Sequence, residues 1–380
     1  MPSSDKDKDN ICNSEDEIMI DDRQLENNVI LENNYNSEEI NKRITKDDIS
    51  SPEKLAQLLI SENCEILNIF EIKEFLDSGS ESMVYKVINK KTQKPYVMKI
   101  IIIKNDEKRN YNEFNILNKL KNDNIICFYG MNEIKKNEVD FVIMEYGKFG
   151  NIKSFMKNLL KKDYLSETLL CFFSYQILNG LKYCHINKIC HFDIKPYNII
   201  INEYLKAKII DFSVSIDYSK INTNTIKLPF CGTNFYMAPE VMESKTINKE
   251  DLNKIELYSL RVTLYNLAFG TYPYDLNRED SKDYETIYYK IKNNKLEFDN
   301  KNNIFSLVFI DFLKKLLEKD IGKRININEA LNHDWIKGAN ILFEEKEKTY
   351  NISNFLINLI TENILNFNEY IKKAKKKIVK

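Results

Sequence analysis

Polar residues outnumber apolar ones over the first fifty positions, and little hydrophobic period emerges there. A stretch that cannot bury apolar surface is expected to stay disordered. Ser51-Pro52-Glu53 then reads as an N-cap followed by proline at the first helical position, opening a short helix through Leu59. From Ile66 the pattern shifts to strand-like runs: ILNIFEIKEFL, MVYKVIN and PYVMKIIII, the last two joined by the turn-like NKKTQK as a hairpin. YNEFNILNKL, from Tyr111 to Leu120, has helical spacing, and IICFYGM and VDFVIMEYG predict two more strands. After Gly150 helices dominate: Thr168–His185, Ile255–Phe269 and Phe305–Leu317, with one or two more between Asn351 and Lys380. The order predicts an α+β protein, with a strand-rich lobe carrying one main helix ahead of a larger, mainly helical lobe. No internal repeat is present.

Composition narrows the function classes. The 380 residues include 56 basic and 57 acidic side chains, a net charge of -1, so no general attraction to nucleic acid or to an anionic membrane is expected. The local exception is residues 1–50, with 14 acidic against six basic residues. Seven cysteines, odd in number and without a CxxC, argue against a disulfide scaffold and for a reducing compartment. MPSSDKDKDN lacks the order of a signal peptide, and no apolar run approaches a membrane span. A soluble cytoplasmic protein is expected, with the nucleus as the open alternative, and no obligate oligomer is indicated.

Two of the three histidines fall in the stretch CHINKICHFDIKPYNIII, beside Cys184 and Cys190. Cys184, His185, Cys190 and His191 raise the question of zinc. Adjacent Cys-His pairs lack the CxxC or HxxxH spacing that puts ligands on one face, so zinc is not expected. The letters that follow carry the stronger signal. His191-Phe192-Asp193-Ile194-Lys195-Pro196-Tyr197-Asn198 resembles HRDLKPEN, the catalytic loop of eukaryotic serine/threonine protein kinases. Lys99 in YVMKI resembles the VAIK lysine, and Glu113 lies on the helix after it. Asp211-Phe212-Ser213 resembles DFG, Cys231-Gly232-Thr233 through Glu240 resembles GTxxYMAPE, and Arg324 matches the late arginine. Ordered motifs on the expected elements make this a specific resemblance. It covers roughly residues 66–336, with an N-lobe over 66–146 and a C-lobe over 147–336. A disordered acidic tail at 1–50, a short helical extension at 51–65 and a Lys-rich helical extension at 337–380 surround it.

The resemblance implies the two-lobed protein kinase fold, with ATP in the cleft and Mg²⁺ (Mn²⁺ as an alternative). Phosphoryl transfer is mainly positioning and charge neutralisation, so the site needs cations and hard oxygen ligands. Lys99 would grip the α/β-phosphates, held by Glu113. Asn198 and Asp211 would hold the metal. Asp193 would orient the acceptor hydroxyl and take its proton, and Lys195 would reach the transferred phosphate. Leu76, Gly79, Val84, Val97 and Ile200 would line the nucleotide site. In the hinge-like Ile143-Met144-Glu145-Tyr146-Gly147, Met144 would be the gatekeeper, and Glu145 and Gly147 would offer backbone groups to adenine. His191 would pack inward against Phe212, Leu117 and Phe128. Thr233, Glu240, Glu256 and Arg324 would serve the activation segment and its support. Lys195 and Thr233 fit a protein serine/threonine acceptor. The β-branched Val214, after DFS, accompanies threonine preference in the family. The protein substrate is not identifiable.

Four departures from the pattern matter. The phosphate loop keeps only Gly79 of GxGxxG, with Asp77 and Ser82 at the outer positions. Phe192 replaces the arginine that often grips an activation-loop phosphate, and Pro229 stands where a phosphorylated threonine commonly sits, so activity without that phosphate is expected. Ser213 replaces the DFG glycine. Glu256-Leu257-Tyr258-Ser259-Leu260-Arg261 stands for DxWSLG, leaving open whether Glu256, one methylene longer, still reaches the catalytic loop. The rival class is a pseudokinase acting as scaffold or regulator, against which the intact set Lys99, Glu113, Asp193, Asn198 and Asp211 speaks.

Overall fold

A computed structural model describes residues 44–61, 64–79, 82–103, 112–135, 139–298 and 305–338. The expected helices beyond residue 350 and most of the acidic tail lie outside these residues. The chain forms two compact units. One comprises the described residues through Asn122 together with those of Ile126–Tyr146, and the other comprises Asp123–Ile125 and the described residues from Gly147 onward.

The first unit is built on a five-stranded antiparallel sheet. Its strands are β1 (Phe70–Ser78), β2 (Ser82–Asn89), β3 (Pro95–Ile102), β4 (Phe128–Lys135) and β5 (Val139–Glu145), in the order β1-β2-β3-β5-β4. The expected β2–β3 hairpin is present. Strand alternation divides the sheet into two faces. Met83, Tyr85, Val87, Tyr96, Met98, Ile100, Phe141 and Ile143 are all buried on one face. Helix α1 (Pro52–Ser61) starts as predicted, with Ser51 Oγ accepting from the Lys54 amide at 3.3 Å. Its Leu55 and Leu59, spaced i and i+4, pack with Ile44 and Ile49 into the core of that same face. Each fully buried leucine contributes about 1.5–3 kcal/mol.

Two sequence expectations shift here. Ile66–Ile69, read as the start of a strand, is a helical turn, and β1 begins at Phe70. Apolar residues at 66, 67, 69 and 70 satisfy a helical period as well as a strand one, the usual ambiguity of short apolar runs. The polar tail expected to reach about residue 50 has structure in its last described residues. Lys46–Ile49 forms a 3-10 turn, and Ile44 and Ile49 are buried.

The second unit is mainly helical. Its longest helix, α3 (Glu167–Ile186), opens on Ser166, whose Oγ accepts from the Leu169 amide. Glu167 on its first turn accepts from the Ser306 amide at 2.7 Å and from Trp335 Nε1 at 2.9 Å, tying three distant segments together. Burial pushes the Glu167 carboxyl up, against the pull of those hydrogen bonds. Helix α4 (Leu252–Phe269) runs through the interior and ends at Gly270, whose φ of 73° closes it with a left-handed cap. Around them lie α5 (Tyr284–Asn293), α6 (Leu307–Leu316), α7 (Ile327–Leu331) and three two-stranded ladders. Among these, β6 (Ile189–Cys190) pairs with Ile216–Asp217, β7 (Ile199–Ile201) pairs with β8 (Ala207–Ile209), and the strand Thr225–Lys227 pairs with Thr246–Asn248. Among the described residues no helix is long and apolar enough to cross a membrane.

Candidate active site

The second sheet face of the first unit carries the residues expected around a nucleotide. Val84 pairs across the ladder with Lys99, Val97 with Met144, and Lys99 with Val142. Period-two alternation therefore puts Val84, Val97, Lys99 and Met144 on one face, opposite the buried one. Lys99 Nζ lies 3.3 and 3.2 Å from the two carboxylate oxygens of Glu113. Glu113 is on α2 (Asn112–Lys119), a helix whose Phe114, Ile116 and Leu117 are buried. The pair is largely shielded, with side chains 16% and 11% exposed, so its attraction is weakly screened by solvent. Leu76 and Gly79 stand at the β1–β2 end and are exposed. Glu145 closes β5 with its amide donating to the Cys127 carbonyl at 3.0 Å. Of the ring's expected neighbours, Leu117 is buried in this unit, and Phe128 stacks on Phe114 at 6.4 Å.

The catalytic-loop motif folds into a closed polar ring in the second unit. Asp193 Oδ2 accepts from Lys195 Nζ at 2.6 Å and from Asn198 Nδ2 at 3.0 Å. Its Oδ1 accepts from the Thr233 hydroxyl at 2.7 Å, and that hydroxyl accepts from Lys195 Nζ at 2.8 Å. Asn198 Nδ2 also reaches the Asp193 carbonyl at 2.9 Å. With its amide nitrogen turned to Asp193, the Asn198 side chain offers its oxygen to a cation. Gly232 admits no side chain here: its φ is 100°, and a Cβ would stand 2.5 Å from the Phe192 carbonyl oxygen.

His191 is fully buried and packs edge-on to Phe212 with centroids 4.7 Å apart. Its Nδ1 accepts from the Asp193 amide at 3.2 Å, so Nε2, 2.9 Å from the Ile210 carbonyl, carries the proton. A histidine so placed is a structural pin for the loop. Asp211 and Phe192 both have φ of 66°, an unusual conformation for residues with side chains, and both sit at the motifs. Gly147 lies against Ile200 of β7, where a Cβ would come within 2.9 Å of Ile200 Cδ1.

Glu256 settles the question its extra methylene raised. It is fully buried on α4, and its Oε1 accepts from the amides of His191 and, at 3.3 Å, of Phe192. Its Oε2 meets His185 Nε2. Burial alone would raise the Glu256 pKa, but the nearby imidazoles and the amide hold it below the usual carboxylate range. Sequence reasoning did not find the His185 partner. His185 lies 71 positions away, and the only local hint was a histidine on the last turn of an apolar helix.

Glu240 and Arg324 form a bidentate pair, with NH1 2.6 Å from Oε1 and NH2 3.2 Å from Oε2. Among the described residues no group of three or more potential ligands could hold a metal ion by protein side chains alone. Burial, ahead of the neighbouring Glu256, pushes the thiols of Cys184 and Cys190 well up, away from the thiolate form that zinc requires. Ser80 and Glu81 of the phosphate loop lie outside the described residues.

With this arrangement in place, the comparison with known proteins is direct. Residues 70–336 match the protein kinase domain family, and the chain belongs to that family. It is 32% identical over 279 residues to the serine/threonine-protein kinase pakE of Dictyostelium discoideum, covering 71% of this chain and 28% of that protein. It is 29% identical over 286 residues to the MAP kinase kinase MKK1/SSP32 of Saccharomyces cerevisiae, covering 74% of this chain and 52% of the relative. An Aurora kinase of Dictyostelium discoideum is 29% identical over 273 residues, covering 70% of this chain and 66% of the relative. The similarity thus spans from about a quarter to two thirds of these relatives.

Proposed function

We propose that this chain transfers the γ-phosphoryl group of ATP to serine or threonine hydroxyls of proteins. The observation that carries the proposal is the closed ring of Asp193, Lys195 and Thr233, with Asn198 bonded to Asp193. In such a ring Asp193 presents a fixed carboxylate that orients an incoming hydroxyl and accepts its proton as the new P–O bond forms, while the bond from the γ-phosphorus to the bridging oxygen breaks and ADP leaves. Lys195 lies against that carboxylate and neutralises charge developing on the transferred group. Lys99, braced by Glu113, holds the α/β-phosphates. The donor set fits a hard divalent cation: Asp211 and Asn198 would hold Mg²⁺, or Mn²⁺, through oxygen. When bound, such a cation would supply positive charge against the phosphates.

The same reading extends to regulation. Phe192, which replaces the arginine, is 6% exposed and packs in one cluster with Ile226, Leu228, Phe235 and Met237 of the activation segment. Apolar burial there takes the place of a cation–phosphate tether, and the Thr225–Lys227 ladder adds backbone hydrogen bonds. The segment is therefore ordered without phosphorylation. The test is an in vitro assay of full-length protein with Mg²⁺, labelled ATP and a generic basic protein, before and after phosphatase treatment. Equal transfer in both supports the reading. Activity lost on dephosphorylation contradicts the regulatory part, and a wild-type protein that binds ATP without transfer favours the scaffold alternative.

A further inference from the structure

The phosphate loop has lost two of three glycines, yet Gly79 has an anchor from a part of the chain that precedes the family match. Lys46 sits at the start of the 3-10 turn Lys46–Ile49, and its Nζ donates to the Gly79 carbonyl. The turn that carries Lys46 is itself fixed. The Thr45 amide donates to Asp48 Oδ2 at 2.8 Å, and Lys54 Nζ of α1 reaches the Asp47 carbonyl at 2.9 Å. The hydroxyl of Tyr85 on β2 donates to the Ile49 carbonyl. Ile44 and Ile49 are buried in the core beneath the sheet. The Gly79 amide is also engaged, donating to the Ser82 carbonyl at 2.9 Å. Both backbone groups of the remaining glycine are thus held, one by β2 and one by Lys46.

We infer that Lys46 is a positioning residue for the nucleotide loop, acting from outside residues 70–336. This role rests on the kinase reading above. A loop restrained before binding loses less conformational freedom when a ligand arrives, so its affinity rises without new contacts. The Lys46 ammonium also sets a positive charge beside a loop that carries the exposed Asp77, easing the approach of an anion. Neither effect changes between ground and transition state, so both belong in KM rather than kcat. Lys46 replaces by charge and tether part of what glycines supply by close backbone approach.

The experiment compares full-length wild type with Lys46→Met and Lys46→Arg. Three readouts are taken: steady-state kinetics with varied ATP, the melting temperature with and without Mg²⁺-ATP, and amide exchange over residues 75–83 without nucleotide. Lys46→Met should raise KM for ATP about three- to tenfold, the scale of the ordering cost that a pre-held loop avoids on binding, with kcat within about twofold. Exchange over 75–83 should quicken while the ligand-free melting temperature stays within about 2 °C. Lys46→Arg should restore most of the affinity. Unchanged KM and exchange in Lys46→Met would overturn the inference, and so would a matched fall in kcat and melting temperature, which marks a purely structural role. A wild type whose melting does not respond to ATP would remove the nucleotide reading itself, and this role with it, whatever the loop exchange shows.

Discussion

Two arginines are buried among the described residues of the second unit, Arg324 at 2% and Arg261 at 0% exposure, and they could hardly be treated more differently. Arg324 uses four of its five N–H donors. It makes two bonds to Glu240, donates from Nε to the Glu318 carbonyl at 2.9 Å and from NH1 to the Lys254 carbonyl at 2.9 Å, and stacks over Tyr258 at 5.0 Å. Arg261 stands one helical turn beyond Tyr258 on α4, where the family pattern has glycine. None of its three guanidinium nitrogens has a hydrogen-bond partner among the described residues, and its nearest aromatic face is Phe298, at 5.9 Å. Burial brings its pKa down to about 9, with Tyr274, Tyr258 and Tyr265 only partly offsetting the loss of water. It remains a cation at neutral pH. The contrast teaches that a buried charge fastens a fold only when it is paired and its donors are engaged. One without partners is a load that the surrounding core has to carry.

The comparison breaks most sharply at Glu240. Glu240→Ala leaves Arg324 uncompensated and should lower stability by about 3–5 kcal/mol, seen as a large drop in melting temperature. An unchanged melting temperature would remove the structural role of the pair. Arg261→Met should act in the opposite sense. Exchanging an unpartnered buried charge for an apolar side chain of similar length should raise stability by about 1–4 kcal/mol.

The sign with pH sharpens this second case. A base whose folded pKa lies below its unfolded value binds its proton better in the unfolded chain. Its penalty is full below about pH 9 and fades as pH climbs towards 12.5. The melting-temperature gap between Arg261→Met and wild type should therefore narrow between pH 8 and pH 10.5, a range set by that value. A constant gap would mean that the charge is not the cause.

The smallest expected effect concerns the acceptor. Val214 is half-buried against the cluster that contains Phe192 and Leu228. We expect peptides carrying threonine to be phosphorylated faster than matched serine peptides, and Val214→Phe to reduce or reverse the ratio. One methyl group in a packed site is worth about 1–3 kcal/mol. A wild type that prefers serine, or a mutant with an unchanged ratio, would end this idea and leave the kinase assignment intact.

How much was legible in the sequence divides along the same physical line. The catalytic loop was readable because its residues lie within eight positions and its chemistry admits few substitutes. The sheet face holding Val84, Val97, Lys99 and Met144 was readable because strands alternate. The turn at Ile66–Ile69 was not, because an apolar run that short fits two periods. The His185–Glu256 contact and the Lys46–Gly79 contact were not readable either, being made across 71 and 33 positions by side chains with no local signature. Arg261 showed only as a departure from a pattern. Nothing in its neighbours along the chain reveals that it is buried with no hydrogen-bond partner among the described residues.

The central claim, that the polar ring around Asp193 performs phosphoryl transfer, is tested most directly by one assay. Full-length protein, Asp193→Asn and Asp211→Ala, each free of contaminating kinase, are given Mg²⁺, labelled ATP and a generic basic protein. The wild type should label the substrate, and each variant should be slower by about two orders of magnitude or more, since a proton acceptor or a metal ligand has been removed. Both variants labelling at the wild-type rate would contradict the assignment.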